Sequence, residues 1–227
     1  MPAGEDRFER ARKAMVEHQL RSRGIRDERV LTAMLTVPRE QFVPVCQQAY
    51  AYDDRALPIG HGQTISQPYM VAFMLQWLAA EPSHRVLEVG AGSGYQAALL
   101  GQLAQDVYAV EIVPALAEAA AAVIARLGYA NVHIIAADGS VGYPPAAPYD
   151  RIIVAAAAPE LPGPLMDQLA EGGRLVAPVG GRGFQECVAA TKQNGEIVTE
   201  RGIGCTFVPL RGRHGWQDND WQGGVRW

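Results

Sequence analysis

Between Arg85 and Gly180 five short apolar runs alternate with helical patterns, and no other feature restricts the fold so tightly. The runs are Arg85-Val-Leu-Glu-Val-Gly90, Asp106–Glu111, Asn131–Asp138, Tyr149–Ala157 and Gly173–Gly180. Between them the spacing predicts helices over about 94–104, 115–127 and 163–170, the second framed by Pro114 and Gly128. Apolar strands separated by helices imply a mostly parallel sheet covered on both faces, an α/β doubly wound fold. Near the end Cys187–Lys192 and Glu196–Glu200 flank Asn194-Gly195, a strong hairpin signal, so the parallel sheet should finish in antiparallel strands.

The first third reads differently. Phe8, Ala11, Met15 and Leu20 fall at helical spacing over about 7–23, and Gly24 ends the pattern. Asp27 is placed to cap a second helix over 28–36, which Pro38 stops. From Val43 to Gln63 the chain, with Pro44, Pro58 and Gly60-His-Gly62, predicts a long irregular segment of the kind that often carries function. A helix should follow Pro68 and run to about Ala80. The expected organisation is one domain over 1–214: an N-terminal helical and loop part (1–82), a ligand-binding core (83–185) and terminal strands (186–214). A loose Trp-rich tail is expected over 215–227.

Composition excludes several classes. A net charge of -4 gives no basic face for general nucleic-acid binding. Cys46, Cys187 and Cys205 are odd in number and widely spaced, which fits reduced thiols rather than a disulfide framework or a metal site. The charged N-terminus does not read as a signal peptide, and no run approaches the ~20 apolar residues of a membrane span. These features predict a cytoplasmic protein. No long apolar stripe is left unassigned, which predicts a monomer.

Gly90, Gly92 and Gly94 follow a predicted strand and open a helix, so backbone can turn sharply and a ligand can approach closely. The dinucleotide pattern requires a sixth-position glycine, and Tyr95 stands there; a Walker lysine is also absent. Three acids surround the loop. Glu88 would repel a pyrophosphate but suit a cationic ligand. Glu111 ends the next strand, where an acid can accept from both ribose hydroxyls. Asp138-Gly139 ends the third, where an acid can meet an adenine amino group. Each acid alone also fits a structural role, as a helix cap, a solvated strand end or an ordinary turn. Together with the glycine loop they describe a site for an adenosyl ligand that is cationic and lacks phosphate, S-adenosylmethionine.

Gly60-His-Gly-Gln-Thr-Ile-Ser-Gln-Pro-Tyr-Met-Val-Ala72 resembles the signature of protein-L-isoaspartate O-methyltransferases, as do Val37–Pro44, Ala56–Gly60, Leu87–Gln96, Asp138-Gly-Ser140, Ala156–Pro159 and Phe207–Leu210. The resemblance covers about residues 10–212. It implies a class I, Rossmann-like methyltransferase that esterifies the free α-carboxylate of L-isoaspartyl residues in damaged proteins and peptides. The ester closes to a succinimide, and hydrolysis returns some aspartate. The resemblance implies Ser66 as the catalytic residue. It implies Thr64, Ile65, Ser66, Glu88, Gly90, Gly92, Glu111, Asp138 and Gly139 as contacts to S-adenosylmethionine and its product S-adenosyl-L-homocysteine, with no metal.

A carboxylate acceptor is already ionised at neutral pH and needs no general base, so His61 has no required part. Ser66 could orient the carboxylate by a hydrogen bond, but it also fits an N-cap for the helix after Pro68. The chain departs from the family pattern at Ala155, where Thr is common, and at Arg211, where a small polar residue is common. Arg211 reads either as a partner for a substrate carboxylate or as a surface charge. Two other readings stand beside repair: a dedicated methyltransferase that installs a succinimide in one partner peptide, and a binding module that has lost turnover.

Overall fold

The computed structural model describes residues 7–216. Residues 1–6 and 217–227 lie outside that range, and with them most of the segment expected to be a loose tail. Helix α1 (Arg7–Met15) sets Phe8, Ala11 and Met15 against the core. The chain continues through a π turn (Val16–Leu20) and a 3₁₀ turn (Arg21–Arg23) to Gly24. Asp27 then caps α2 (Glu28–Thr36), accepting from Arg29 N at 2.9 Å and Val30 N at 3.4 Å.

The segment expected to be irregular contains a small antiparallel hairpin, β1 (Leu57–Gly60) and β2 (Gln63–Ile65). Its turn holds Gly60, His61 and Gly62 at positive φ. Strands of four and three residues are too short to show a period of two, which is why the sequence did not announce them. Helix α3 (Pro68–Leu78) follows.

The main sheet has seven strands: β3 (Arg85–Val89), β4 (Asp106–Glu111), β5 (Val132–Ala136), β6 (Tyr149–Val154), β7 (Leu169–Gly181), β8 (Phe184–Gln193) and β9 (Glu196–Cys205). The order is β5-β4-β3-β6-β7-β8-β9. The strands from β5 to β7 pair in parallel; β8 and β9 close the sheet antiparallel. The last three strands are longer than expected, and β7 begins at Leu169, inside the segment predicted as helix. Asn194 and Gly195 turn β8 into β9 at φ 53° and 79°, as their sequence required.

Alternation along the strands feeds two cores. Val86, Val107 and Ile153 pack on one face beneath α1, α2, α3 and α4 (Tyr95–Leu103), joined by Ile124 of α5 (Pro114–Arg126). Leu87, Val110, Ile152 and Leu175 pack on the other, against Leu165 of the short α6 (Gly163–Asp167), Ala146 and Tyr149. Each such fully buried aliphatic side chain contributes about 1.5–3 kcal/mol of transfer free energy. The chain leaves β3 toward β4 and β5 on one side, then crosses back to β6 on the other. That reversal opens a crevice at the carboxyl ends of β3, β4 and β6, where open α/β sheets bind ligands.

Candidate active site

The glycine loop fills the floor of that crevice. Gly90, Gly92 and Gly94 all have positive φ, a region that side-chain-bearing residues rarely enter. Gly90 N and Ala91 N both donate to Val110 O, at 2.8 and 3.1 Å, which fastens the loop to β4.

Glu111 ends β4 almost fully buried. Its Oε2 accepts from Gly92 N at 2.8 Å and its Oε1 from Val113 N at 2.9 Å. It therefore joins the glycine loop to the start of α5, and each oxygen keeps lone pairs for a further donor. Glu88 sits one residue before the end of β3 and is completely buried. Its Oε1 accepts from Gln96 Nε2 at 3.1 Å, and its Oε2 has no hydrogen-bond partner. Burial pushes this carboxyl well above the usual range, against the Gln96 hydrogen bond and with help from the charge of Glu111. An orphaned, buried carboxylate oxygen at a ligand cleft requires a donor from elsewhere, and a ligand ammonium satisfies it.

Asp138 takes a different orientation from the other two acids. Its Oδ1 accepts from Ser140 N at 2.9 Å and Ser140 Oγ at 2.6 Å, and its Oδ2 accepts from Arg213 N at 2.8 Å. Burial works against its charge, but these bonds and the Arg213 guanidinium hold the carboxyl below its ordinary value. Gly139, rather than the Asp138 side chain, lines the crevice. A Cβ on Gly139 would sit 2.8 Å from Val89 Cγ1, so close packing against β3 demands glycine there.

Two connected clefts result. The larger, open to solvent, is lined by Glu111, Ile112 and Gly139 and by Val208 to Arg211. The smaller is lined by Ile65, Ser66, Glu88, Tyr95 and Gln96. Thr64, Gly90, Gly92 and Ala155 border both. Ser66 is half-buried, and among the described residues its hydroxyl makes no hydrogen bond. It does not cap α3: Gln67 occupies the cap position without a side-chain bond, and Asp54 Oδ1 accepts from Tyr69 N at 3.0 Å instead. His61 is exposed at the hairpin turn. Arg211 is exposed at the mouth of the larger cleft.

Asp54 and Arg213 were not singled out from sequence, and Gln96 and Ser140 stood only as the last residues of motif segments with no role of their own; Gln96 lies in the first turn of the helix that the glycine loop opens. Among the described residues no group of His, Cys, Asp and Glu is placed to hold a metal ion, and no helix is long and apolar enough to cross a membrane.

A switch-point crevice with a glycine turn and buried acids at adjacent strand ends, beneath a seven-stranded sheet that closes antiparallel, defines a class I methyltransferase. A family model described as Protein-L-isoaspartate(D-aspartate) O-methyltransferase matches residues 10–215. The chain belongs to that family. It is 54% identical over 212 residues to the protein-L-isoaspartate O-methyltransferase of Methanoculleus marisnigri, covering 93% of this chain and 96% of that one. It is 52% identical over 209 residues to the same-named protein of a Roseiflexus species, covering 92% and 95%. A Plasmodium falciparum protein-L-isoaspartate O-methyltransferase, solved in complex with S-adenosyl-L-homocysteine, superposes with a TM-score of 0.78 at 30% identity, over 91% of this chain and 99% of that one.

Proposed function

We propose that the chain methylates the free α-carboxylate of L-isoaspartyl residues in damaged proteins and peptides, using S-adenosylmethionine. The observation that carries this reading is that one pocket is lined both by Ser66, whose hydroxyl is free among the described residues, and by Glu88, whose buried Oε2 lacks a donor. Bound S-adenosylmethionine supplies an electrophilic methyl group on a sulfonium. Glu88 Oε2 holds the ligand ammonium. Glu111 accepts from the ribose hydroxyls while keeping its grip on Gly92 N. Thr64 and Ile65 of β2 wall the passage between the two clefts, and Gly139 and Ile112 flank the space for the base.

Ser66 donates its hydroxyl proton to a carboxylate oxygen of the acceptor and holds the other oxygen toward the methyl. The acceptor is ionised at neutral pH, so the protein contributes orientation and exclusion of water rather than a base. In the released methyl ester a backbone amide nitrogen attacks the ester carbonyl and expels methanol to give a succinimide without further help, and hydrolysis returns part of it to aspartate. The name protein-L-isoaspartate O-methyltransferase, carried by the relatives from Methanoculleus and Roseiflexus, favours this reading over a dedicated peptide methyltransferase. Three free thiols suit a reducing, cytoplasmic setting.

Labelled cofactor offered with paired isoaspartyl and aspartyl peptides of one sequence tests the proposal. Label should enter the isoaspartyl peptide alone. Equal labelling of both, or of neither, overturns it.

A further inference from the structure

Arg39 is among the largest fully buried side chains of the described residues, with no exposed surface. Its Nε donates to Ala51 O at 2.7 Å and its Nη2 to Ser66 O at 2.8 Å. Its Nη1 is buried without any acceptor. Among the described residues no carboxylate lies within ion-pair distance of the guanidinium. Asp54 acts on it electrostatically but is itself paired with Arg23 and caps α3. The guanidinium carbon lies 4.9 Å from the ring centroid of Tyr95, which also lines the pocket that holds Ser66.

A buried cation with one donor unsatisfied and no counter-ion is costly. Its two bonds explain part of its retention. They join both ends of the segment that carries β1 and β2, so Ile59, Thr64 and Ile65 are presented to the clefts from a loop tied at its base. A planar fork with divergent donors can tie two carbonyls at once, which an ammonium on a flexible stem does poorly. The uncompensated charge explains the rest. The pocket that holds Ser66 and Glu88 is lined by no Lys, Arg or His, which suits a cationic methyl donor but gives an anionic acceptor no positive partner within it.

We propose that Arg39 is a positioning residue of the acceptor site, pinning the Ser66 backbone to that of Ala51 and setting an unneutralised positive charge behind the pocket that receives the acceptor carboxylate. The inference rests on the carboxylate acceptor proposed above. Arg39 does not touch the acceptor. It acts through Ser66.

The test compares wild type with Arg39→Lys and Arg39→Gln. Arg39→Lys keeps the charge and loses the double tie; kcat/KM for an isoaspartyl peptide should fall about tenfold. Arg39→Gln loses both and should fall about a hundredfold, with KM rising more than in the lysine variant. S-adenosyl-L-homocysteine affinity should fall less than kcat/KM in both, because Glu88 and Glu111 keep their bonds while Thr64 and Ile65 lose only the tie at the base of their loop. Hydrogen exchange supplies a readout apart from activity: amides over 57–65 should exchange faster in Arg39→Lys, while those over 85–111 stay unchanged. Should Arg39→Gln not fold, the lysine variant decides the matter alone. Unchanged kcat/KM in Arg39→Lys, or peptide and cofactor affinities that fall together with melting temperature, overturns the proposal. If wild type methylates no isoaspartyl peptide, the functional reading fails, and the exchange pattern over 57–65 still decides the tie.

Discussion

Glu88 and Gln96 meet in the buried wall of the smaller cleft: Gln96 Nε2 donates to Glu88 Oε1 at 3.1 Å, leaving Glu88 Oε2 without a partner. Replacing Glu88 by Gln keeps volume and removes the charge that a ligand ammonium would meet. Calorimetry should show S-adenosyl-L-homocysteine binding weakened about thirtyfold or more, as expected when one member of a buried charge pair is lost. Affinity within twofold of wild type would assign the ammonium to another group.

The same residue predicts a pH dependence. Burial raises the carboxyl of Glu88 in the folded protein, so the native state holds this proton more tightly than the unfolded chain does. Its stabilising contribution is complete below the ordinary carboxylate value and is lost as pH rises through the raised native value. Thermal unfolding of ligand-free protein should therefore show Glu88→Gln gaining on wild type as pH increases. Cofactor affinity of wild type should rise over that interval, as the proton leaves, and Glu88→Gln should be flat. Parallel melting curves across the whole range would refute the linkage.

Ser66→Ala removes a hydroxyl that caps nothing and bonds to nothing among the described residues. Stability should change by less than about 0.5 kcal/mol, while kcat for an isoaspartyl peptide falls roughly tenfold to hundredfold, comparable to losing one preorganised donor. Cofactor affinity should hold. A large loss of that affinity with unchanged turnover would move Ser66 from the acceptor to the cofactor.

Gly212 sits at φ 119°, and a Cβ there would lie 2.0 Å from Asp138 Oδ1. Asp138 grips this turn through Arg213 N, and Ser140 Oγ accepts from His214 N at 3.0 Å. Gly212→Ala should cost about 1–3 kcal/mol in chemical denaturation and speed hydrogen exchange at the Arg213 and His214 amides. Unaltered exchange there would mean that Asp138 does not secure the wall formed by Val208 to Arg211.

Arg211 lines the cleft mouth without a partner among the described residues. Arg211→Glu should raise KM about tenfold for isoaspartyl peptides with acidic flanks and leave kcat intact, with the effect shrinking at high salt. An equal effect on acidic and basic peptides would make Arg211 a surface charge only.

Much of this architecture was readable before any coordinates. The apolar runs placed five parallel strands to within a few residues except at β7, because a strand buried on both faces must be continuously apolar. Asp27, Gly24 and Asn194-Gly195 announced their own cap, stop and turn, since each acts on backbone within a few residues. The glycine loop and its acids were legible as a candidate cofactor site, and the segment ending in Ser66 carried the resemblance that names the acceptor. What sequence could not supply were partners remote along the chain. Asp54, not Ser66, caps α3; Arg213 engages Asp138 across 75 positions; Arg39 reaches Ser66 across 27. Strand order also waited for the fold, because pairing leaves no periodic trace. Local chemistry is written in neighbouring residues, whereas a long-range hydrogen bond exists only after packing brings its two ends together, and in this chain such bonds tie down the loop that carries Ser66 and the wall formed by Val208 to Arg211.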